Sequence, residues 1–129
     1  VLDCTDNLPS RHLINKVCIQ HKTPLVIGAA IRLEGQLMIV DNRESSCACY
    51  QCVYPQADQG EALNCQTAGV LGPVLGIIGS MQALEAIKIL LGKTSSNRNQ
   101  LKLFDGITGQ WQQFKVSSKK NCPICSDYC

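Results

Sequence analysis

The chain has 129 residues, of which 45% are hydrophobic and 17% charged, and a formal net charge of +2. That is enough for a modest core and too apolar for a disordered chain. No basic run exceeds Lys119-Lys120, which argues against a nucleic-acid partner or a charged membrane surface.

The first residues, Val1 to Cys4, suit a short buried strand, and "DNLPSRHLINKVCIQHKTP" then changes period. Leu8, His12 or Leu13, Val17 or Cys18, and Ile19 recur at helical spacing, with His12 and His21 expected on the helix surface. Asp6 or Asn7 suits the N-cap, Pro9 suits the first turn, and Pro24 stops the helix. "PLVIGAA" is a strand buried on both faces, and "GQLMIVD" is the next strand. The order strand, helix, strand, strand predicts an α/β layer with antiparallel strands added.

Residues 43–68 are loop-like, with Ser, Cys, Pro55, Gly60 and Asn64; a loop this long is functional or anchored. "GPVLGIIGSMQALEAIKILLG" is the clearest helix. Met81, Leu84, Ile87, Leu90 and Leu91 are its expected apolar stripe, Glu85 and Lys88 lie on another face, and Gly92 is its stop. Gly72, Gly76 and Gly79 weaken its first turns, for close approach of another group or for tight packing on the sheet. The longest apolar stretch, 69–84, is broken by glycines, Pro73, Ser80 and Gln82, so no membrane span is expected; no signal peptide is visible either, which implies a cytoplasmic protein. "LKLFDGITGQWQQFKV" reads as a hairpin turning between Asp105 and Gly109, followed by a polar tail.

Nine cysteines without a secretory signal point to metal or catalytic thiols more than to a disulfide framework. Two C-x-x-C pairs stand out, Cys49/Cys52 and Cys122/Cys125. Two such pairs suit a tetrahedral structural zinc, which would tie the mid-chain loop to the tail across the domain. A redox pair is the alternative, but neither motif opens a helix after a strand. Cys47 competes with Cys49 through a C-x-C and is expected to be a spare, exposed thiol. "DCTDN", Asp3 to Asn7, falls at a strand's carboxyl end, where ligands collect in open α/β sheets. Its carboxylates suit Mg²⁺ or, equally, a helix cap with a solvated turn. Cys65, before the long helix, is a candidate nucleophile or an ordinary buried cysteine. "GKT" at 92–94 closes a helix and lacks the earlier glycine of a P-loop, and no G-x-G-x-x-G occurs.

Taken together, "VLDCTDN…R…IN", "GQLMIV", "CYQC", "NCQTAGVLGPVLGIIGSMQALEAIKILLG", "LKLFDG…QW" and "CPIC" resemble the carboxyl-terminal half of the ThiF/MoeB/HesA family, nearest ThiF. The resemblance implies part of a Rossmann-like, ubiquitin-activating-type adenylation domain with a zinc-stapled tail. It implies an ATP-dependent adenylyltransferase that activates the Gly-Gly carboxylate of a ubiquitin-like sulfur carrier protein for thiamin or molybdenum-cofactor (molybdopterin) biosynthesis. By the same resemblance Asp6 holds Mg²⁺, Asn7 and Arg11 support the ATP site, Cys65 handles the activated carrier, and Cys49, Cys52, Cys122 and Cys125 bind zinc. The protein is then expected to be a homodimer. The chain opens on what reads as a strand already under way, and the family's glycine-rich nucleotide loop lies upstream of the resembling region; the expectation is a single partial domain. The alternative function is a non-catalytic, zinc-stapled module that binds a ubiquitin-like partner.

Overall fold

The computed structural model describes residues 1–43, 46–56, 68–93 and 97–128. Five strands form one sheet in chain order: β1 (Leu2–Asp3), β2 (Leu25–Ile31), β3 (Glu34–Val40), β4 (Gln100–Asp105) and β5 (Gln110–Lys115). β1 runs parallel to β2, with Leu2 opposite Val26 and Asp3 opposite Ile27. A parallel pair needs a crossover, and α1 (Leu8–Gln20) supplies it. The remaining pairs are antiparallel, β2–β3 and β4–β5 as hairpins and β3–β4 across a long connection, so the mixed sheet expected from the sequence is the one observed. Two further helices complete the described fold, the single turn α2 (Tyr50–Val53) and the long α3 (Gly72–Leu90).

The helix ends follow local chemistry. Asn7 caps α1, its Oδ1 accepting the Ser10 N–H at 2.9 Å, and Pro9 lies in the first turn. At the other end Lys22 takes a left-handed φ of 49° and the Thr23 N–H reaches the Cys18 carbonyl at 2.9 Å, so the helix is closed before Pro24. Gly92 closes α3 in the same way at φ 71°, with the Lys93 N–H on the Lys88 carbonyl.

Strand alternation divides the core into two layers. Leu25, Ile27, Met38, Val40 and Leu101 face α1, where they join Cys18, Ile19 and the cysteines of the two C-x-x-C pairs. Val26, Leu37 and Ile39 face α3, beside Met81 and Ile89; Val74 and Ile78 pack on Phe104.

Several burial expectations are reversed. The buried face of α3 is Val74, Ile78, Gln82 and Glu85, whereas Leu84, Ile87, Leu90 and Leu91 are exposed. The reason lies in the strands opposite. A Cβ on Gly28 would stand 2.2 Å from the Gln82 Oε1, and one on Gly35 would stand 2.5 Å from Ile78. Two strand glycines therefore make the hollow into which this face sinks. Gln82 is satisfied there, donating to the Asp3 and Val26 carbonyls at 2.8 and 3.1 Å. Glu85 accepts from Lys88 and Asn97. Gly72, Gly76 and Gly79 have open space beside them, so tight helix–sheet packing is not their role. By length and composition alone α3 would pass for a membrane span; its buried polar residues and its contacts with β2 and β3 lay it on the sheet. On α1, His12 is buried rather than superficial, packed edge-on against Tyr50 at 5.1 Å between centroids.

Candidate metal centre and strand-end site

After β3 the chain enters the loop that carries Cys47, Cys49 and Cys52. Two asparagines hold it. Asn99, with a left-handed φ of 56°, accepts the Ala48 N–H at 2.9 Å and donates to the Ser46 carbonyl at 2.8 Å. Asn15, fully buried on α1, accepts the Tyr50 N–H at 2.9 Å. Cys49 is the N-cap of α2, and one turn later Cys52 presents its sulfur on the same side. The tail contributes two interlocked turns, Cys122 N–H to Lys119 carbonyl and Ser126 N–H to Cys122 carbonyl.

These segments bring the four predicted sulfurs together. Cys49, Cys52, Cys122 and Cys125 are all buried, and their sulfurs lie within 4.8 Å of one another. Sγ separations are 3.9 Å for Cys49–Cys52, 3.7 Å for Cys49–Cys122 and 3.5 Å for Cys52–Cys125. A tetrahedron with metal–sulfur bonds of ~2.3 Å has edges of about 3.8 Å, so the set has the dimensions of a closed four-thiolate metal site. None of the four is in a disulfide. The cluster is thus compatible with zinc.

Burial pushes the Cys49 thiol up to about 12, and the neighbouring Cys52 adds to this; the Asn15 side chain acts the other way, favouring the thiolate. Burial, with Cys49 beside it, pushes Cys125 up as well. At Cys122 burial raises the thiol, but backbone N–H groups of Ile124 and Cys125 outweigh it and hold the group below its ordinary value. The Lys119 N–H adds a donor to the Cys52 sulfur at 3.4 Å. Ligation of such thiols releases protons, so affinity for a metal falls with pH. Cys47 departs from its expected role: it is fully buried and disulfide-bonded, not a spare exposed thiol.

The second cluster lies at the carboxyl end of β1. Asp6 and Asn7 are exposed in the loop leading into α1, with the Asn7 amide 3.4 Å from the Asp6 Oδ1. Asp3 is buried, and its Oδ1 accepts both the Thr5 N–H at 2.9 Å and the Thr5 hydroxyl at 2.7 Å. Arg11 is buried and its guanidinium donates to the Thr5 carbonyl. The loop is therefore fixed from both ends while the Asp6 carboxylate faces outward. Cys65 lies outside the described residues. Asn15, Asn99 and Gln82 were not singled out from the sequence; the readable signal was a polar amide amid apolar helix positions at 15 and 82.

Residues 1–124 match the ThiF family. The chain belongs to the ThiF family. It is 43% identical over 125 residues to the sulfur carrier protein ThiS adenylyltransferase of Escherichia coli (strain K12), covering 97% of this chain and 49% of that protein. It is 44% identical over 129 residues to the adenylyltransferase and sulfurtransferase MOCS3 of Drosophila willistoni, covering 98% of this chain and 28% of that one. The chain thus spans about half, or less, of the length of these relatives. In fold it resembles the crystal structure of E. coli MccB with ATP, at a TM-score of 0.75 and 12% identity over 97% of this chain and 39% of that chain. A heterocyclase in complex with substrate and cofactor matches at a TM-score of 0.73 and 15% identity, over 97% of this chain and 20% of that chain.

Proposed function

We propose that this chain forms the carboxyl-terminal half of an ATP-dependent adenylyltransferase that activates the Gly-Gly carboxylate of a ubiquitin-like sulfur carrier protein, for thiamin or molybdenum-cofactor biosynthesis. The observation that carries this reading is the 43% identity to a ThiS adenylyltransferase across 97% of the chain. In the reaction a carboxylate oxygen of the carrier attacks the α-phosphorus of ATP. An acyl–phosphate bond forms, the α–β bridging bond breaks, and pyrophosphate leaves.

Mg²⁺ would offset the negative charge that builds on the phosphate oxygens. Asp6 is the residue to hold it: an outward carboxylate at the carboxyl end of β1, on a loop already satisfied internally by Asp3 and Thr5. Asn7 and Arg11 act as positioning residues, since one caps α1 and the other grips the Thr5 carbonyl. Cys65 takes the role of the thiol that handles the activated carrier. Cys49, Cys52, Cys122 and Cys125 hold a zinc that is structural, because four sulfurs leave no position open for substrate. The exposed Leu84, Ile87, Leu90 and Leu91 on α3 suit burial in a homodimer.

The test is carrier-dependent exchange of pyrophosphate into ATP, measured on this chain joined to the complementary region its relatives carry. Exchange that is lost in Asp6→Asn supports the reading, and Cys65→Ala should spare exchange while impairing sulfur delivery. Failure to exchange with any Gly-Gly carrier would leave only a zinc-stapled binding module.

A further inference from the structure

Gln82 is buried on the inner face of α3 and reaches a strand end 79 residues away in sequence. Its Nε2 donates to the Asp3 carbonyl at 2.8 Å and to the Val26 carbonyl at 3.1 Å. Its Oε1 faces the Cys4 thiol, which donates across 3.8 Å. All of these partners lie where β1 ends: Asp3 is the last residue of that strand, Cys4 follows it, and Val26 stands opposite Leu2 in β2. Gly28 makes room for the amide, since a Cβ there would stand 2.2 Å from the Oε1. A glycine inside a strand costs stability, and an apolar side chain over an alanine would fill the same hollow without burying an amide. The arrangement therefore serves the strand end and not the core alone.

Cys4, Thr5, Asp6 and Asn7 join β1 to α1. Thr5, directly before Asp6, donates its N–H and its hydroxyl to the Asp3 carboxylate, and its carbonyl accepts from the Arg11 guanidinium. Asp3 and Arg11 both belong to the β1–α1 unit and would move with it. Gln82 ties that unit to β2 and α3. We propose that Gln82 is a positioning residue for the Asp6 carboxylate: from α3 it fixes the final carbonyl of β1 and, through Asp3 and Thr5, the place at which Asp6 meets Mg²⁺. This rests on the reading of Asp6 as the Mg²⁺ holder and goes beyond it by assigning a residue of a distant helix. A shift of about 1 Å at a reacting centre can cost on the order of 100-fold in rate, so a hold on the backbone of this loop has kinetic consequences.

Gln82→Met keeps the bulk and removes both N–H groups. It is compared with wild type in this chain joined to the complementary region its relatives carry. Carrier-dependent pyrophosphate exchange should fall about 10- to 100-fold in kcat, with a higher Mg²⁺ concentration needed for half-maximal rate and KM for the carrier unchanged. Mn²⁺ binding in the presence of ATP, read from water proton relaxation without turnover, should weaken by a similar factor. The double variant Gly28→Ala/Gln82→Ala fills the hollow from the strand side and should show the same losses while folded. A third measurement needs no variant: hydrogen exchange of the wild-type Gln82 side-chain amide should slow when Mg²⁺ and ATP bind. A folded variant with unchanged Mg²⁺ requirement and Mn²⁺ affinity would overturn the proposal, as would amide exchange that ignores Mg²⁺ and ATP whatever the variants do. Asp6→Asn with an unchanged Mg²⁺ requirement would instead remove the reading of Asp6, and this inference with it.

Discussion

On the α1 side of the sheet, Ile19, Leu25, Ile27, Met38 and Val40 share their layer with six cysteines, among them the two C-x-x-C pairs. On the α3 side the helix buries a glutamine and a glutamate and turns Leu84, Ile87 and Leu90 outward. The first layer is closed by segments distant in sequence, a mid-chain loop and the tail, which bring Cys47, Ala48, Cys49, Tyr50, Cys52, Cys122 and Cys125 into the core. A metal bond suits that task, because it joins two short segments neither of which is a strand of the sheet. The second layer is closed by shape, with strand glycines admitting side chains that composition alone would have placed outside.

The contrast can be broken most severely at the cluster. Cys125→Ser should abolish stoichiometric zinc and cost the α1 layer most of a binding free energy on the order of 10 kcal/mol, seen as a large fall in the thermal midpoint. The α3 layer gives a smaller, opposed pair. Ile78→Ala should cost about 3 kcal/mol in urea unfolding, because Ile78 fills the space above Gly35. Leu75→Lys, one turn back on the same helix but exposed, should move stability by less than about 0.5 kcal/mol. The glycines sharpen this further. Gly28→Ala would drive a methyl into Gln82 and should cost about 1–3 kcal/mol, while Gly76→Ala meets open space and should stabilise by ~0.5–1 kcal/mol.

The smallest effect belongs to neither layer. The Arg43 side chain hydrogen-bonded to Asp41 holds that carboxyl below its ordinary value of 3.8, at 2.7 Å in the closer contact. A depressed carboxyl stabilises the fold above its unfolded-state value, and the contribution is lost as pH falls through the folded-state value. The difference in urea midpoint between wild type and Asp41→Asn should therefore be constant above about pH 5 and shrink below pH 4.

Much of this could be read in the sequence because the signals were local. Asn7 and Pro9 announce the start of α1, Gly92 the end of α3, and Asp105 to Gly109 the last hairpin, since each acts on its own backbone. The paired C-x-x-C spacing carried the four-cysteine cluster across 69 intervening residues because sulfur geometry admits few alternatives. The orientation of α3 was not readable. A helix apolar on nearly every face has no stripe to follow, and the decision lay in Gly28 and Gly35, remote in sequence. His12 is similar, since its burial depends on Tyr50 arriving from the other side of the cysteine loop. Cys47 escaped for the opposite reason: with Cys49 and Cys52 accounted for as ligands, nothing nearby in sequence marks it for a buried disulfide.

The central claim is that four sulfurs from the loop and the tail bind one metal ion and hold the α1 layer closed. Native mass spectrometry of the freshly purified, reduced chain, before and after chelation, addresses it most directly. The account predicts a folded species carrying one zinc, with Cys49, Cys52, Cys122 and Cys125 protected from alkylation, that shifts to an unfolded charge distribution when the metal is removed. A compact, metal-free species whose four thiols alkylate readily, or one with a Cys49–Cys52 disulfide, would contradict it.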